Sequence, residues 1–167
     1  MPNQCVVIAD GARARFFALE SRGLPEIEGG PALYEAADLE NPAKAGSSRD
    51  SAPPSDSRGH RGSPSSGSSD HRGRHQAQMD RRFAKQVAQR AAELAYGRGA
   101  HTCIIVADPK TLGMLRPELR ALGNQQVSFT ELSKDLCRLS VHEIQSHLAR
   151  LGQLPARRAP RSVRPAA

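Results

Sequence analysis

Aromatic side chains are scarce in this chain, whose 167 residues include two Tyr, four Phe and no Trp. Proteins that bind single-stranded nucleic acid through its bases stack those bases on aromatic rings. The composition therefore argues against single-strand recognition by base stacking. It leaves open the binding of a partner through charge.

Cysteine is also sparse. Cys5, Cys103 and Cys137 are odd in number and far apart, and none of them has the spacing of a zinc site. Two of the three lie in apolar runs, which favours buried, reduced thiols in a cytoplasmic protein over a disulfide framework.

Long hydrophobic runs are missing from the sequence. The continuous apolar run near the N-terminus, residues 5–9, is too short for an export segment. No run approaches the length that crosses a bilayer. We therefore expect a cytoplasmic protein that does not insert into a membrane.

The formal net charge of +7 is concentrated in two segments. Residues 41–75 contribute +3 and residues 152–167 contribute +4, which leaves 14 basic and 14 acidic residues in the rest of the chain. A basic chain suggests a nucleic-acid partner. Solvated flexible segments explain the same charge, and the sequence leaves both interpretations open.

Residues 41–75 differ in composition from the rest of the chain. They hold ten Ser, five Gly, four Pro and five Arg, and no Val, Ile, Leu, Met, Phe, Tyr or Cys. Such a segment buries too little apolar surface to offset the entropy lost on ordering. We predict one domain formed by residues 1–40 and 76–151, with a disordered insertion at 41–75 and a disordered basic tail at 152–167.

Two unbroken apolar runs, residues 5–9 and 102–107, predict buried strands because they are short and rich in β-branched residues. Residues 14–19 and 126–132 predict flanking strands. The interruption by Gly and Pro near residue 30 limits any further strand to a sheet edge. This edge strand is predicted around residues 25–28, and whether it resumes at residues 32–34 is left open.

The clearest helical pattern covers residues 76–96, where apolar side chains recur on one face. A second helix is predicted over residues 109–122, with Asp108 as its N-cap and Pro109 in its first turn. Pro117 removes a backbone donor in the middle of that pattern, and we expect it to split the helix into two short pieces.

A third helix follows Ser140, which forms a capping-box pattern with Glu143. Its apolar stripe runs to Leu151, and Gly152 ends it. Strands and helices together predict the α/β class, with a mixed sheet of about five strands and two to three packed helices.

Three acidic residues form the candidate catalytic set. Asp10 and Asp108 each follow a buried strand, and Asp135 or Glu131 is a third carboxylate. Gathered at one sheet edge, such groups bind Mg²⁺ and hydrolyse phosphodiesters. The alternative is that Asp10 stabilises a turn and Asp108 caps a helix. We favour the local roles, and we expect no enzyme activity, no cofactor and no metal.

Basic residues form the candidate nucleic-acid site. One group lies near predicted strand ends, and the other lies on the solvent face of the first helix, where an ordinary solvated surface is the alternative. A different class of function is an interaction module that presents the edge strand near Glu26, or the insertion, to a protein or surface partner. The candidate RNA-binding residues are Arg13, Arg15, Lys110 and Arg116 near strand ends, and Arg81, Arg82, Lys85 and Arg90 on the helix, together with the two basic arms, residues 41–75 and 152–167.

Three segments carry a resemblance to a known family: VVIADGARARFF, VADPKTLGMLRPEL and SKDLCRLSVHEIQSHL, with the Ser- and Gly-rich insertion between the first two. They resemble the bacterial family called protein required for attachment to host cells, over about residues 5–35 and 76–151. That family is similar in turn to the middle domain of the eukaryotic and archaeal translation release factor. The resemblance implies a ribonuclease-H-like mixed sheet and a non-catalytic domain linked to RNA or the ribosome, or to host-surface attachment.

Overall fold

A computed structural model describes residues 3–21, 30–44, 68–123 and 126–157. The elements are β1 (Gln4–Ala9), β2 (Arg13–Glu20), β3 (Ala32–Glu40), α1 (Ser68–Gly97), β4 (Thr102–Ala107), α2 (Pro109–Leu122), β5 (Ser128–Ser133) and α3 (Val141–Arg150). The five strands form one sheet in the order β3-β2-β1-β4-β5. The β1–β2 and β2–β3 pairs are antiparallel, whereas β1–β4 and β4–β5 are parallel. The predicted mixed α/β class is thereby confirmed.

The two apolar runs, β1 and β4, lie side by side in the middle of the sheet, as their composition predicts. Because side chains alternate along a strand, each strand supplies both faces. Val7 and Ile105 face the core shared with α1 and α2, whereas Val6 and Ile104 face the core under α3. The sheet is therefore covered on both sides.

The three helices divide between these two faces. Phe83 and Val87 of α1 and Leu115 of α2 pack on one face. Ile144 and Leu148 of α3 pack on the other. The predicted capping box of α3 is present, since Ser140 and Glu143 each accept a hydrogen bond from the other's backbone N–H.

The prediction that Pro117 splits the second helix is wrong. Helix α2 is continuous from Pro109 to Leu122 and contains Pro117. Both Pro117 and Gly113, whose carbonyl would have bonded to the missing N–H, are exposed. Water can solvate that carbonyl, while Leu115 and Leu119 on the opposite face hold both halves of the helix on the core.

The segment boundaries also differ from those predicted. Strand β3 continues to Glu40, and the predicted edge strand at 25–28 lies outside the described residues. Helix α1 begins at Ser68, within the predicted insertion, of which residues 45–67 are not described. Leu154 of the predicted tail is buried against the α3 core, whereas Leu151 is exposed. Residues 158–167 lie outside the described part.

Candidate nucleic-acid interface

Seven exposed side chains of α1 share one face of the helix, because they follow one another at steps of three or four residues apart from one adjacent pair, Arg81 and Arg82. None is acidic. At 1.5 Å of rise per residue, they extend over about 27 Å. We call this set the basic stripe: His71, Arg74, Gln78, Arg81, Arg82, Lys85 and Gln89.

The stripe is exposed because the opposite side of α1 supplies the apolar contacts with the sheet. Phe83, Val87, Ala88 and Ala91 are buried there. Residues 71–75 are exposed all round the helix, so the start of α1 has no apolar face. The stripe therefore extends, towards the N-terminus of α1, beyond the turns that pack on the sheet.

Three cations of the stripe have no neutralising partner among the residues that the structure describes. Arg81, Arg82 and Lys85 form no ion pair with residues 3–21, 30–44, 68–123 or 126–157. Of the acidic residues of α1 within 71–97, Asp80 is buried, and Glu93, one turn beyond Gln89, pairs with Arg90. The stripe therefore presents positive charge to solvent.

Arg15, one of the predicted RNA-binding residues, is instead an internal residue. Its side chain is 11% exposed and forms a two-point ion pair with Glu35. Its Nη1 also donates to the carbonyl oxygens of Cys137 and Leu139, at 3.1 and 2.7 Å. The guanidinium lies 5.0 Å from the ring centroid of Phe17. Arg15 thus joins β2, β3 and the segment before α3, and it is removed from the candidate interface.

The other predicted cations near strand ends are exposed, but two of them carry acidic partners. Arg13 pairs with Asp38 at 3.0 Å, and Arg116 pairs with Glu131 at 2.6 Å. Lys110 lies exposed in the first turn of α2. A paired cation presents little net charge to a phosphate, so the strand ends are weaker candidates than the basic stripe.

Two of the candidate carboxylates, Asp10 and Asp108, follow β1 and β4, which end in register at Ala9 and Ala107. Asp10 accepts hydrogen bonds from the backbone N–H groups of Ala12 and Arg13, both at 2.7 Å. Such bonds are typical of a turn-forming Asp.

The second carboxylate, Asp108, is the N-cap of α2 and accepts from the Thr111 backbone N–H at 3.0 Å and hydroxyl at 2.5 Å. Asp135 accepts a long bond from the Cys137 N–H. Within the described ranges, no group of three or more His, Cys, Asp or Glu side chains is arranged to hold a metal ion.

These contacts also shift pKa values. Burial raises the pKa of the Asp108 carboxyl, but the hydrogen bonds from Thr111 and from the backbone of Lys110 and Asp108 together lower it by more, so the group ionises below its usual range. Burial, together with the nearby Asp10 carboxylate, raises the pKa of the Cys137 thiol to about 12.

All three cysteines are free thiols, and Cys5 and Cys103 are buried as predicted. Burial raises the pKa of Cys5 to about 11 and raises that of Cys103 as well. The three thiols are therefore protonated, and poor nucleophiles, at neutral pH.

A buried polar contact between Asn41 and Asp80 of α1 was not predicted. Asn41 is fully buried and donates to the Gly11 carbonyl at 2.8 Å and to the Asp80 carboxylate at 3.2 Å. Gln76 donates to the same Asp80 oxygen at 3.1 Å. These bonds tie the end of β3 to α1 and to the β1–β2 turn.

The structure therefore defines a mixed α/β domain that presents a cationic helix face. A family model described as "Protein required for attachment to host cells" matches residues 5–148, which is most of the chain. The chain belongs to this family, and the predicted resemblance is confirmed. A search of curated proteins gave no match. Among the described residues, no helix combines the length and apolar character needed to cross a membrane.

Proposed function

We propose that this protein is a non-enzymatic binding protein whose partner is RNA or a ribosome-linked particle. The observation that carries the proposal is the basic stripe, which holds three cations without an acidic partner among the described residues. Phosphate groups are the ligands that such a row of Arg and Lys side chains binds, without reading base sequence. Arg81, Arg82 and Lys85 are the residues that we assign to this contact.

Two further points support the proposal. The motifs resemble those of a family similar to the release-factor middle domain, and the five-strand mixed sheet is of the kind that this likeness implies. The candidate carboxylates Asp10 and Asp108 each accept hydrogen bonds from neighbouring backbone, which supports structural rather than catalytic roles.

Attachment to a host surface is the second candidate, and the description of the family favours it directly. The edge strand near Glu26 and the insertion, through which we expected such a contact, lie wholly or largely outside the described residues. A ribosomal partner implies a cytoplasmic protein, whereas host attachment implies that the protein reaches the cell surface.

Binding of purified cellular RNA by two charge-matched variants tests the proposal. The stripe variant combines Arg81→Ala, Arg82→Ala and Lys85→Ala. The paired variant combines Arg13→Ala, Arg90→Ala and Arg116→Ala, whose cations all have acidic partners. Each loses three positive charges, which lowers the formal net charge from +7 to +4.

We expect a gel-shift assay to show RNA binding by the wild type and by the paired variant, and a loss of about tenfold or more in the stripe variant. Equal losses in the two variants would show that only total charge matters. Absence of RNA binding by the wild type, together with binding to host cells, would favour the attachment candidate.

A further inference from the structure

The shape of the basic stripe restricts the kind of RNA that it fits. The stripe lies on one uninterrupted helix, so its side chains from His71 to Gln89 form a continuous row about 27 Å long, in which Arg81, Arg82 and Lys85 lie within about 6 Å of helix rise. A flexible single strand would lose conformational freedom when it aligns with such a row. A duplex, whose phosphates are already held in place, loses much less.

The side chains of the stripe also favour an RNA duplex over a single strand. Arg and Lys donate hydrogen bonds to phosphate oxygens, while Gln78 and Gln89 have an amide that both donates and accepts. The stripe contains no aromatic ring on which an unpaired base would stack. The amide oxygens of the two glutamines can accept from ribose 2′-hydroxyl groups, which RNA has and DNA lacks.

The packing of α1 on the sheet limits which groove of a duplex the stripe can contact. Phe83, Val87 and Ala91 hold the other side of the helix on the sheet, so the packed part of α1 offers a partner one face. A helix face of this kind can lie across the wide, shallow minor groove of an RNA duplex, whereas the deep major groove is too narrow to admit it.

From these observations, and resting on the proposed RNA-binding function, we propose that the basic stripe binds double-stranded RNA. The contacts are with the phosphates and 2′-hydroxyl groups that border the minor groove, so binding is independent of sequence. Arg81, Arg82 and Lys85 contact phosphates, and Gln78 and Gln89 contact ribose.

The test uses the full chain and fluorescence anisotropy with labelled duplexes of about 20 base pairs, a length sufficient for two successive minor grooves. The probes are an RNA duplex, a second RNA duplex of scrambled sequence, a DNA duplex of the first sequence, and an unstructured RNA single strand of equal length. The proteins are the wild type, the stripe variant and the paired variant, with circular dichroism as a check on folding.

We expect both RNA duplexes to bind equally, and about tenfold more tightly than the single strand. Loss of three phosphate contacts should reduce the slope of log K against log salt concentration by about 2 to 3 in the stripe variant. The paired variant should keep the wild-type slope. A double variant, Gln78→Ala with Gln89→Ala, should reduce the ratio of the affinity for the RNA duplex to the affinity for the DNA duplex.

Failure of this inference is distinguishable from failure of the proposed function. Single-strand binding as tight as duplex binding, and lost in the stripe variant, would overturn the duplex assignment while leaving RNA binding intact. Tighter binding to the DNA duplex than to RNA would overturn the assignment to RNA. If the wild type bound none of the probes, the proposed function would fall as well.

Discussion

Arg15 and Glu35 form a two-point ion pair between β2 and β3, with Nε 2.9 Å from Oε1 and Nη2 2.8 Å from Oε2. Hydrogen bonding to Glu35 raises the already high pKa of the guanidinium, so Arg15 is charged at every accessible pH. Since the same side chain also satisfies two backbone carbonyl groups before α3, it connects three parts of the chain.

Replacing Arg15 should therefore reduce stability rather than RNA affinity. We expect Arg15→Ala to lower the free energy of unfolding by about 2 to 3 kcal/mol, because it leaves a half-exposed carboxylate and two carbonyl groups without their donor. Arg13→Ala, on the same strand, breaks a pair between two largely exposed side chains and should cost about 0.5 kcal/mol. Urea denaturation measures both, and equal losses would contradict the internal role of Arg15.

The Arg15 contact shows why part of the site could not be predicted from the sequence. A row of ARAR after a buried strand indicates only that basic residues lie near a strand end. The partner Glu35 is twenty residues away, and its position depends on the β2–β3 register, which shifts at an irregularity between Phe16 and Phe17. The apolar pattern and the turn set the overall register, but a local irregularity of this kind is not visible in the sequence of either strand.

Elements whose signals are local were predicted well. Strand β4 has the same bounds as its apolar run, and the capping box at Ser140 starts α3 as predicted. The beginning of α1 was missed because residues 68–75 have no apolar periodicity. The far half of β3 was missed because its exposed acidic residues, such as Glu35 and Asp38, interrupt the pattern of a buried strand.

Buried Asn41 provides a second stability prediction. Asn41→Ala removes the hydrogen bonds that the Asn41 amide donates to Gly11 and Asp80. The nearly buried Asp80 carboxylate then keeps the hydrogen bond from Gln76. We expect a loss of about 2 kcal/mol in the free energy of unfolding. Gln76→Ala, at a more exposed position, is the control and should cost less. A neutral Asn41→Ala protein would show that this contact does not hold α1 on the domain.

Helix α2 offers two stabilising substitutions. Pro117→Ala restores a backbone donor to the exposed turn and should raise the free energy of unfolding by about 2 kcal/mol. Gly113→Ala should add about 1 kcal/mol, because a Cβ at Gly113 meets no other atom within 4 Å and its φ is not positive. Thermal and urea denaturation of each variant measure the gain. A loss of stability in Pro117→Ala would indicate that the domain requires a proline-induced bend.

The lowered pKa of Asp108 predicts a pH dependence. Because the carboxyl ionises at lower pH in the folded protein than in the unfolded chain, its charge stabilises the fold above about pH 4, the usual Asp value. This contribution is lost as the pH falls through the folded pKa.

The comparison with Asp108→Asn isolates that contribution, because Asn keeps the capping oxygen and removes the charge. The stability difference between wild type and variant, measured by urea denaturation, should be constant at neutral pH and should shrink below about pH 4. A difference that grows on acidification would contradict the assigned shift.

The central claim is that the basic stripe binds RNA, and co-sedimentation in a cell lysate tests it most directly. The wild-type chain, the stripe variant and the paired variant are each run on sucrose gradients at low and at high salt. We predict that the wild type and the paired variant migrate with ribosomal particles at low salt and are released at high salt, while the stripe variant stays at the top in both. A wild-type chain that stays at the top at low salt would contradict the claim.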